Sequence, residues 1–555
     1  MTAPKKERTL EAELRKPWKW LAILLGLACL ALGLAWVSNG FNRLSGASSF
    51  LWLLLISAGI LALGWRLMSS EKPPRWLLFL MVGAAVLRLA AGTFWFVALP
   101  VWGHGTPAER AGYVMGDAAS RDQAAWKLAS SNRPLWAAFQ DNRKVDQYGG
   151  LLFLSALVYR YLGSQAHQPL LLVVLAAACS ALVVLLGWAL ARQVWGATVA
   201  AITAWGLCLY PEAVLLGSSQ MREAFTIPLA AAAFYGLLRY NRDRSRTSLA
   251  WIFIPFLLAF FFSTLTAVLL VGSLGLVALV VVKPFSSKQL HNRWFWLILI
   301  LLVILALAGL WLALREVTPE RITNPIAMLS WWLHKSARLQ AYISEHASGW
   351  MQKIFDEAPQ WLHLPFLLAY GVVQPFLPAA LVAGSEALIW RWIAVWRALG
   401  WTALLAFLAF APVFALRQRS KRALVGIITL VIWLIILVAA FRGGSDMWDN
   451  PRYRAILASL QIALASAIWV EESQSRDPWL RRALLATGAV LVWFLPWYLQ
   501  RYYSIGWPVT DPFRTLGLGL ATASLLILAD WARWGRPDGS VPTAPPGRLE
   551  DNLHE

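Results

Sequence analysis

The stretch WLLFLMVGAAVLRLAAGTFWFVALPV (76–101), followed after Trp102 by GHGTPAERAGYVMGDAASRDQAAWKLASSNRPLWAAFQDNRKVDQY (103–148), decides the fold. Its first part is apolar apart from Arg88 and exceeds the roughly 20 residues a helix needs to cross a hydrocarbon core. Its second part is the first long polar interruption in an otherwise apolar chain. It carries five acids: Glu109, Asp117, Asp122, Asp141 and Asp146. Apolar span and acidic loop together read as a membrane protein that gathers carboxylates at one surface.

Working outward, similar apolar runs recur from end to end. Of 555 residues 59% are hydrophobic and 14% charged, against roughly 25% charged in an ordinary soluble chain. Many of the 34 Trp (Trp18, Trp20, Trp52, Trp102, Trp188, Trp195) stand near the ends of apolar runs, as an interfacial belt requires. The expected fold class is all-α: a polytopic transmembrane helical bundle with amphipathic or re-entrant helices on its outer face. The net charge of +20 follows from Lys and Arg collecting in cytoplasmic loops, and no basic stripe interleaved with aromatics argues for nucleic acid. Cys29, Cys179 and Cys208 lie inside apolar runs and offer neither a disulfide framework nor metal-ligand spacing. The first apolar run has no small-residue cleavage site after it and reads as a retained helix.

Loop charges then set an expected topology. The basic tail MTAPKKERTLEAELRKPWKW is inside, spans at 18–38 and 49–67 go out and back, and 76–101 delivers the acidic loop to the exterior. The run 149–163 is too short to cross and is placed as an interfacial or re-entrant helix. Spans at 168–191 and 196–211 follow, then EAVLLGSSQMREAF at the outer mouth, then a span ending in the basic RYNRDRSR. Residues 249–282 form a hairpin turning near Ser263 and Thr264. A span at 294–314 leads to an outer loop of about 315–365, in which 336–357 reads as an amphipathic surface helix. Pro365, Pro375 and Pro378 break 366–395, which is expected to be outer-side or re-entrant, and 397–416 crosses inward to RQRSKR. With spans near 423–441, 453–470, 483–499 and 514–531, the expectation is about 14 spans (a range of 12 to 14), with both termini inside. The organisation expected is an N-terminal tail with two helices (1–75), a catalytic core (76–335), a C-terminal membrane region (336–531) and a disordered cytoplasmic tail (532–555).

Three constellations could carry chemistry. Asp117 lies in GDAASRD just beyond the span holding Arg88, and Asp122 follows five residues on, more than a turn away on a partly different face. A carboxylate here can take a proton from an acceptor hydroxyl or amide; the alternative is a solvated loop acid or helix cap. Arg222 and Glu223 open the next span. Glu223 could bind sugar hydroxyls, bind a metal or act as a second acid, and Arg222 could hold a phosphate, or the two could form an interfacial ion pair. Arg452 and Arg454 in DNPRYR suit a lipid phosphate or diphosphate, against simple snorkelling at a helix end. The seven His form no HExxH, and no GxSxG or phosphate-cradling glycine loop is present. No nucleotide-binding domain is visible, which argues against an ATP-driven pump and for a substrate that arrives already activated on a lipid.

This ordered set resembles the GT-C class of polytopic glycosyltransferases, in the broad family of protein O-mannosyltransferases and lipid A aminoarabinose transferases. It covers roughly 80–330 and, more thinly, 396–470: LRLAAG, GDAASRDQAAWKLA, QYGGLLFLSALVYRYLG, ALARQVWG and ATVAAITAWGLCLYPEAVLLGSSQMREAF. The resemblance implies a polyprenyl-phosphate sugar donor, an acceptor that is lipid, glycan or protein, and an active site on the outer face of the plasma membrane. It also implies a loop Asp as base, here Asp117, with Arg222, Glu223 and Arg452 near the mouth. The chain departs from the family pattern in having Ala118 where a second acid usually follows the Asp. No cofactor is fixed by the sequence, and a divalent metal at the leaving phosphate is left open. Two other functions share many of these features: a polysaccharide polymerase or ligase of the O-antigen type, and a transporter or flippase of lipid-linked sugars.

Overall fold

The computed structural model describes residues 17–140, 146, 148–282, 292–347, 349–444, 446, 449–475, 478–506 and 511–534. All the regular structure among these residues is helical, with no strand among them. The chain divides into two units, residues 1–468 and 469–555.

In the first unit α1 (Pro17–Ser38), α2 (Ala47–Leu67) and α3 (Arg75–Trp102) are followed by two helices of the polar stretch, α4 (Pro107–Arg110) and α5 (Gly116–Ala129). Then come α6 (Gly150–Tyr161), α7 (Leu170–Trp195), the bent pair α8 (Ala197–Leu209) and α9 (Pro211–Gly217), and α10 (Glu223–Asp243). α11 (Arg246–Phe262), α12 (Thr264–Val281), α13 (Asn292–Val317), α14 (Pro325–Ala347), α15 (Gly349–Glu357), α16 (Gln360–Val373) and α17 (Leu377–Val382) lead to the long α18 (Leu388–Arg417). α19 (Arg422–Gly443), the short α20 (Asp449–Arg454) and α21 (Ala458–Gln474) close the unit, the last running over its boundary. α7 is the centre: it is buried along most of its length and packs on α2, α3, α8 and α10. The outer helices leave Trp52, Phe79, Ile254, Leu297 and Ile304 exposed, which is the distribution expected where the surrounding solvent is lipid rather than water.

Among the described residues eleven helices are long and apolar enough to cross a membrane, or twelve if the bent pair counts as one span. Twelve is the low end of the expected range and eleven lies just below it, for two physical reasons. α10 carries four charges (Glu223, Arg239, Arg242, Asp243), and α11 is 17 residues long, short of a full crossing. The expected hairpin is present: Ser263 has extended backbone, and its hydroxyl accepts from the Thr266 amide to start α12. α6, with 12 residues, is too short to cross, as anticipated. Two boundaries differ from expectation. The crossing placed at 397–416 begins at Leu388, because nothing between Ala387 and Pro412 breaks a helix. The single surface helix expected over 336–357 is two helices, α14 and α15. Asp141 and most of the 532–555 tail lie outside the described residues.

Arg88, the lone charge of the opening span, is fully buried, and its role is structural. Pro211 has no N–H, so the Leu207 carbonyl loses its helical partner and α8 and α9 meet at 52°. Arg88 Nη2 donates to that carbonyl at 3.0 Å, Nη1 to Ala84 O at 3.0 Å, and Nε to Ser180 Oγ at 3.1 Å. The far side of the break is pinned by Arg397, which donates Nε and Nη2 to Glu212 at 2.9 Å each, both side chains being buried.

The second unit contains α22 (Trp479–Tyr503) and α23 (Pro512–Trp534) packed on each other. Arg481 and Arg482 pair with Asp530, and the Trp493 indole donates to Thr522 Oγ1 at 2.7 Å.

Candidate active site

The acidic loop is built from strong local signals. Thr106-Pro107-Ala108-Glu109 is a capping box with Pro in the first helical turn: Thr106 Oγ1 accepts from the Glu109 amide, and Glu109 Oε2 accepts from the Thr106 amide at 2.9 Å. Glu109 Oε1 also accepts from the Trp390 indole of α18 at 2.6 Å. Burial alone would raise the Glu109 pKa, but these bonds hold its carboxyl below the ordinary glutamate range. Gly112, at φ +81°, turns the chain where a Cβ would strike the backbone and ring of Phe96, and α5 then begins.

Along α5 the 3.6-residue period sorts the charges. Asp117 and Arg121, four apart, share a face, while Asp122 points elsewhere. Asp117 is 60% exposed and its Oδ2 lies 3.4 Å from Arg452 Nη1. Arg452, only 5% exposed, donates Nε to Glu223 Oε1 at 2.9 Å and Nη1 toward Asp449 Oδ1 at 3.1 Å. Glu223 opens α10, where the helix dipole favours a carboxylate. One arginine thus gathers its helix neighbour Asp449 and two carboxylates from distant segments, Glu223 at 229 and Asp117 at 335 residues' separation.

A second grouping abuts the first. Asp146 Oδ2 accepts from the Leu152 amide at 3.1 Å and so caps the first turn of α6. Its other oxygen lies 3.6 Å from Arg121 Nε and 4.0 Å from Arg222 Nη1. The Arg222 guanidinium sits over the Tyr148 ring, 4.9 Å from its centroid. Burial and the nearby Arg222 charge lower the Arg121 pKa; Asp146, Glu223 and Asp117 offset this in part. Glu223 Oε2, Asp146 Oδ1, Arg222 Nη1, and Nε and Nη1 of Arg121 are buried with no hydrogen-bond partner among the described residues.

Of the six residues singled out in the sequence, four converge here: Asp117, Arg222, Glu223 and Arg452. Asp122 does not. It is buried and accepts from the Tyr113 hydroxyl (2.6 Å) and the Tyr159 hydroxyl (2.7 and 2.8 Å), with His167 Nε2 at 2.8 Å from Oδ2. Burial first, then the Asp122 charge, raises the Tyr113 pKa, so its proton stays in that network. Arg454 is also elsewhere, fully buried with its guanidinium 3.2 Å from the centre of the Trp401 ring. Sequence reasoning passed over Arg121 and Asp146 as site residues. The i,i+4 spacing from Asp117 could have found Arg121; nothing local marks Asp146. Among the described residues no three His, Cys, Asp or Glu side chains form a metal-holding group.

No family model matches the chain, and no curated protein matches its sequence. It is similar to two solved structures of an oligosaccharyltransferase from Archaeoglobus fulgidus. One is AglB in complex with an inhibitory peptide and a dolichol-phosphate: 15% identity, TM-score 0.37, covering 84% of this chain and 58% of that one. The other is the apo form: 16% identity, TM-score 0.40, covering 85% and 59%. This chain therefore spans less than two thirds of the length of those it matches.

Proposed function

We propose that this protein is a membrane glycosyltransferase of the GT-C kind, moving a sugar from a polyprenyl-phosphate donor to an acceptor at the outer face of the plasma membrane. The observation that carries the reading is Asp117: an exposed carboxylate, oriented by a buried arginine, at the rim of a polar cluster assembled from four separate segments of a bundle built for lipid. The loop charges support the outer placement.

In this mechanism the Asp117 carboxylate takes the proton of an acceptor hydroxyl or amide as that atom attacks the anomeric carbon. The bond from carbon to the phosphate oxygen breaks on the opposite face, so configuration inverts. The polyprenyl phosphate leaves with the electron pair, its charge met by the arginines. One carboxylate suffices as base, unlike the paired acids of glycosidases. Arg452 acts as a positioning residue that sets Asp117 and Glu223 relative to each other. The buried, unpartnered Oε2 of Glu223 is available to accept from a sugar hydroxyl.

The test is transfer of labelled sugar from polyprenyl-phosphate donors by membranes carrying wild type or Asp117→Asn. The variant is expected to fall by about 10²- to 10⁴-fold with folding intact. Full activity in the variant removes Asp117 from the mechanism. Absence of transfer from every donor by wild type removes the transferase reading in favour of a polymerase or transporter.

A further inference from the structure

We propose that Arg121 and Arg222, braced on one oxygen of Asp146, form a phosphate subsite, with Arg121 as its deeper anchor. The inference rests on the transferase reading and narrows it: the donor phosphate meets this pair, while Arg452 organises carboxylates.

The argument is one of matched and unmatched charge. Arg452 is the poorer candidate for an incoming phosphate because Glu223 takes its Nε and Asp117 and Asp449 share its Nη1, so three carboxylates already answer its charge. Arg121 and Arg222 are the reverse case. Two cations, Arg121 buried and Arg222 partly so, share a single carboxylate oxygen, at 3.6 and 4.0 Å, outside hydrogen-bonding range for a guanidinium. Asp146 cannot close on both, because its other oxygen is spent capping α6.

Two guanidinium nitrogens of Arg121 and one of Arg222 therefore have no acceptor among the described residues. Arg121 is 4% exposed, so water cannot serve all of these donors freely. A buried cation without acceptors is costly. A phosphate monoester or diester brings oxygens that suit forked arginine donors. Arg222 is held in place by the Tyr148 ring, and Arg121 by the helix it shares with Asp117, one turn away. That places the subsite beside the candidate base.

The negative groups of the wider cluster do not oppose this. Asp117 and Asp449 are 60% and 42% exposed at the rim, where solvent screens them, and Glu223 is tied to Arg452.

Binding by purified full-length protein in detergent tests the proposal. The probes are a short-chain polyprenyl phosphate, the uncharged polyprenol of equal length, and inorganic phosphate. Wild type is expected to prefer the polyprenyl phosphate over the polyprenol. Arg121→Gln and Arg222→Gln should each weaken that binding by about 10- to 100-fold, the loss of one charge-assisted bond or two, and leave polyprenol binding unchanged. Arg121→Lys should recover part of the loss. Competition by inorganic phosphate identifies the anion itself as what is recognised; absence of competition with the lipid preference intact places the phosphate recognition in the lipid headgroup context.

Wild-type affinity in a folded Arg121→Gln overturns the proposal, as does equal binding of polyprenol and polyprenyl phosphate. If Arg121→Gln does not fold, the more accessible Arg222→Gln decides in the same way. Failure here is separable from failure of the transferase reading. Sugar transfer with unchanged donor KM in Arg121→Gln removes the subsite and keeps the enzyme. Arginine-dependent lipid-phosphate binding without transfer keeps the subsite and removes the enzyme.

Discussion

Asp117 and Asp122 stand five residues apart on one helix, and the fold treats them in opposite ways. Asp117 is largely exposed and has one long contact, to Arg452 at 3.4 Å. Asp122 is almost fully enclosed, and two tyrosine hydroxyls and a histidine ring surround its two oxygens. Trp126 closes that second site by stacking on His167 and meeting Tyr159 edge-on. A carboxylate free to exchange a proton needs open coordination and access; one enclosed by hydroxyls and a ring nitrogen on both oxygens serves as a joint. The joint here fastens α5 to α6 and to the turn before α7, and so fixes the direction in which Asp117 faces.

The largest expected effect comes from breaking the joint. Asp122→Ala strands two buried hydroxyls and the His167 ring, and should lower stability by about 3–5 kcal/mol, whereas Asp117→Ala should stay within about 0.5 kcal/mol of wild type. Thermal unfolding of both variants in one detergent measures this. Equal losses would erase the distinction between the two acids, and the choice of Asp117 as the exposed functional one would lose its support.

Much of this was legible from residue order. The apolar runs and basic loops gave an all-α membrane bundle, and Ser263 as a hairpin turn followed from length alone. The convergence of Asp117, Arg222, Glu223 and Arg452 followed from the expected topology, which puts the ends of their apolar runs on one side. What was not legible is direction within a helix. The spacing of Asp117 and Asp122 says that they face different ways, but which one faces the mouth depends on Tyr159 and His167, 37 and 45 residues further on. The span count was high because local apolarity cannot distinguish a 17-residue helix from a crossing one, as with α11. Arg88 drew attention as an intramembrane charge, yet its acceptor is a carbonyl freed by Pro211, 123 residues away by number. Asp146 carries no local signal at all, since its meaning lies in two arginines from other segments.

A smaller effect sharpens the picture of the loop that presents Asp117. Glu109 ties that loop to α18 through Trp390, and its folded-state pKa lies below the ordinary glutamate value. A carboxyl depressed on folding contributes stability that is present above its unfolded pKa, about 4.3, and is lost as pH falls through the folded value. Wild type should therefore lose stability relative to Glu109→Gln as pH drops from 6 toward 3.5, and the two curves should run parallel above pH 6. Melting temperatures across that range check it. A gap between wild type and variant that does not change with pH would mean the tether does not depend on the charge.

The smallest effect concerns a second contrast of the same form, Arg452 against Arg454. Two residues apart on a short helix, they point about 200° from each other. Arg452 turns to the carboxylates of the mouth, and Arg454 turns inward onto the Trp401 ring, its guanidinium nitrogens lacking hydrogen-bond partners among the described residues. The nearby Glu212 is already held on both oxygens by Arg397. A buried cation with no hydrogen-bond acceptor contributes through ring contact and packing, which an apolar side chain of similar length can supply. Arg454→Met should thus keep stability within about 1 kcal/mol of wild type, or raise it, and leave donor KM within about twofold. A tenfold rise in donor KM would instead connect Arg454 to the phosphate and merge the two arginines into one functional unit. The geometry argues the other way, because the Arg454 guanidinium is fully buried against the Trp401 ring, 3.2 Å from its centroid, and two positions along the helix turn it away from the side on which Arg452 meets its carboxylates.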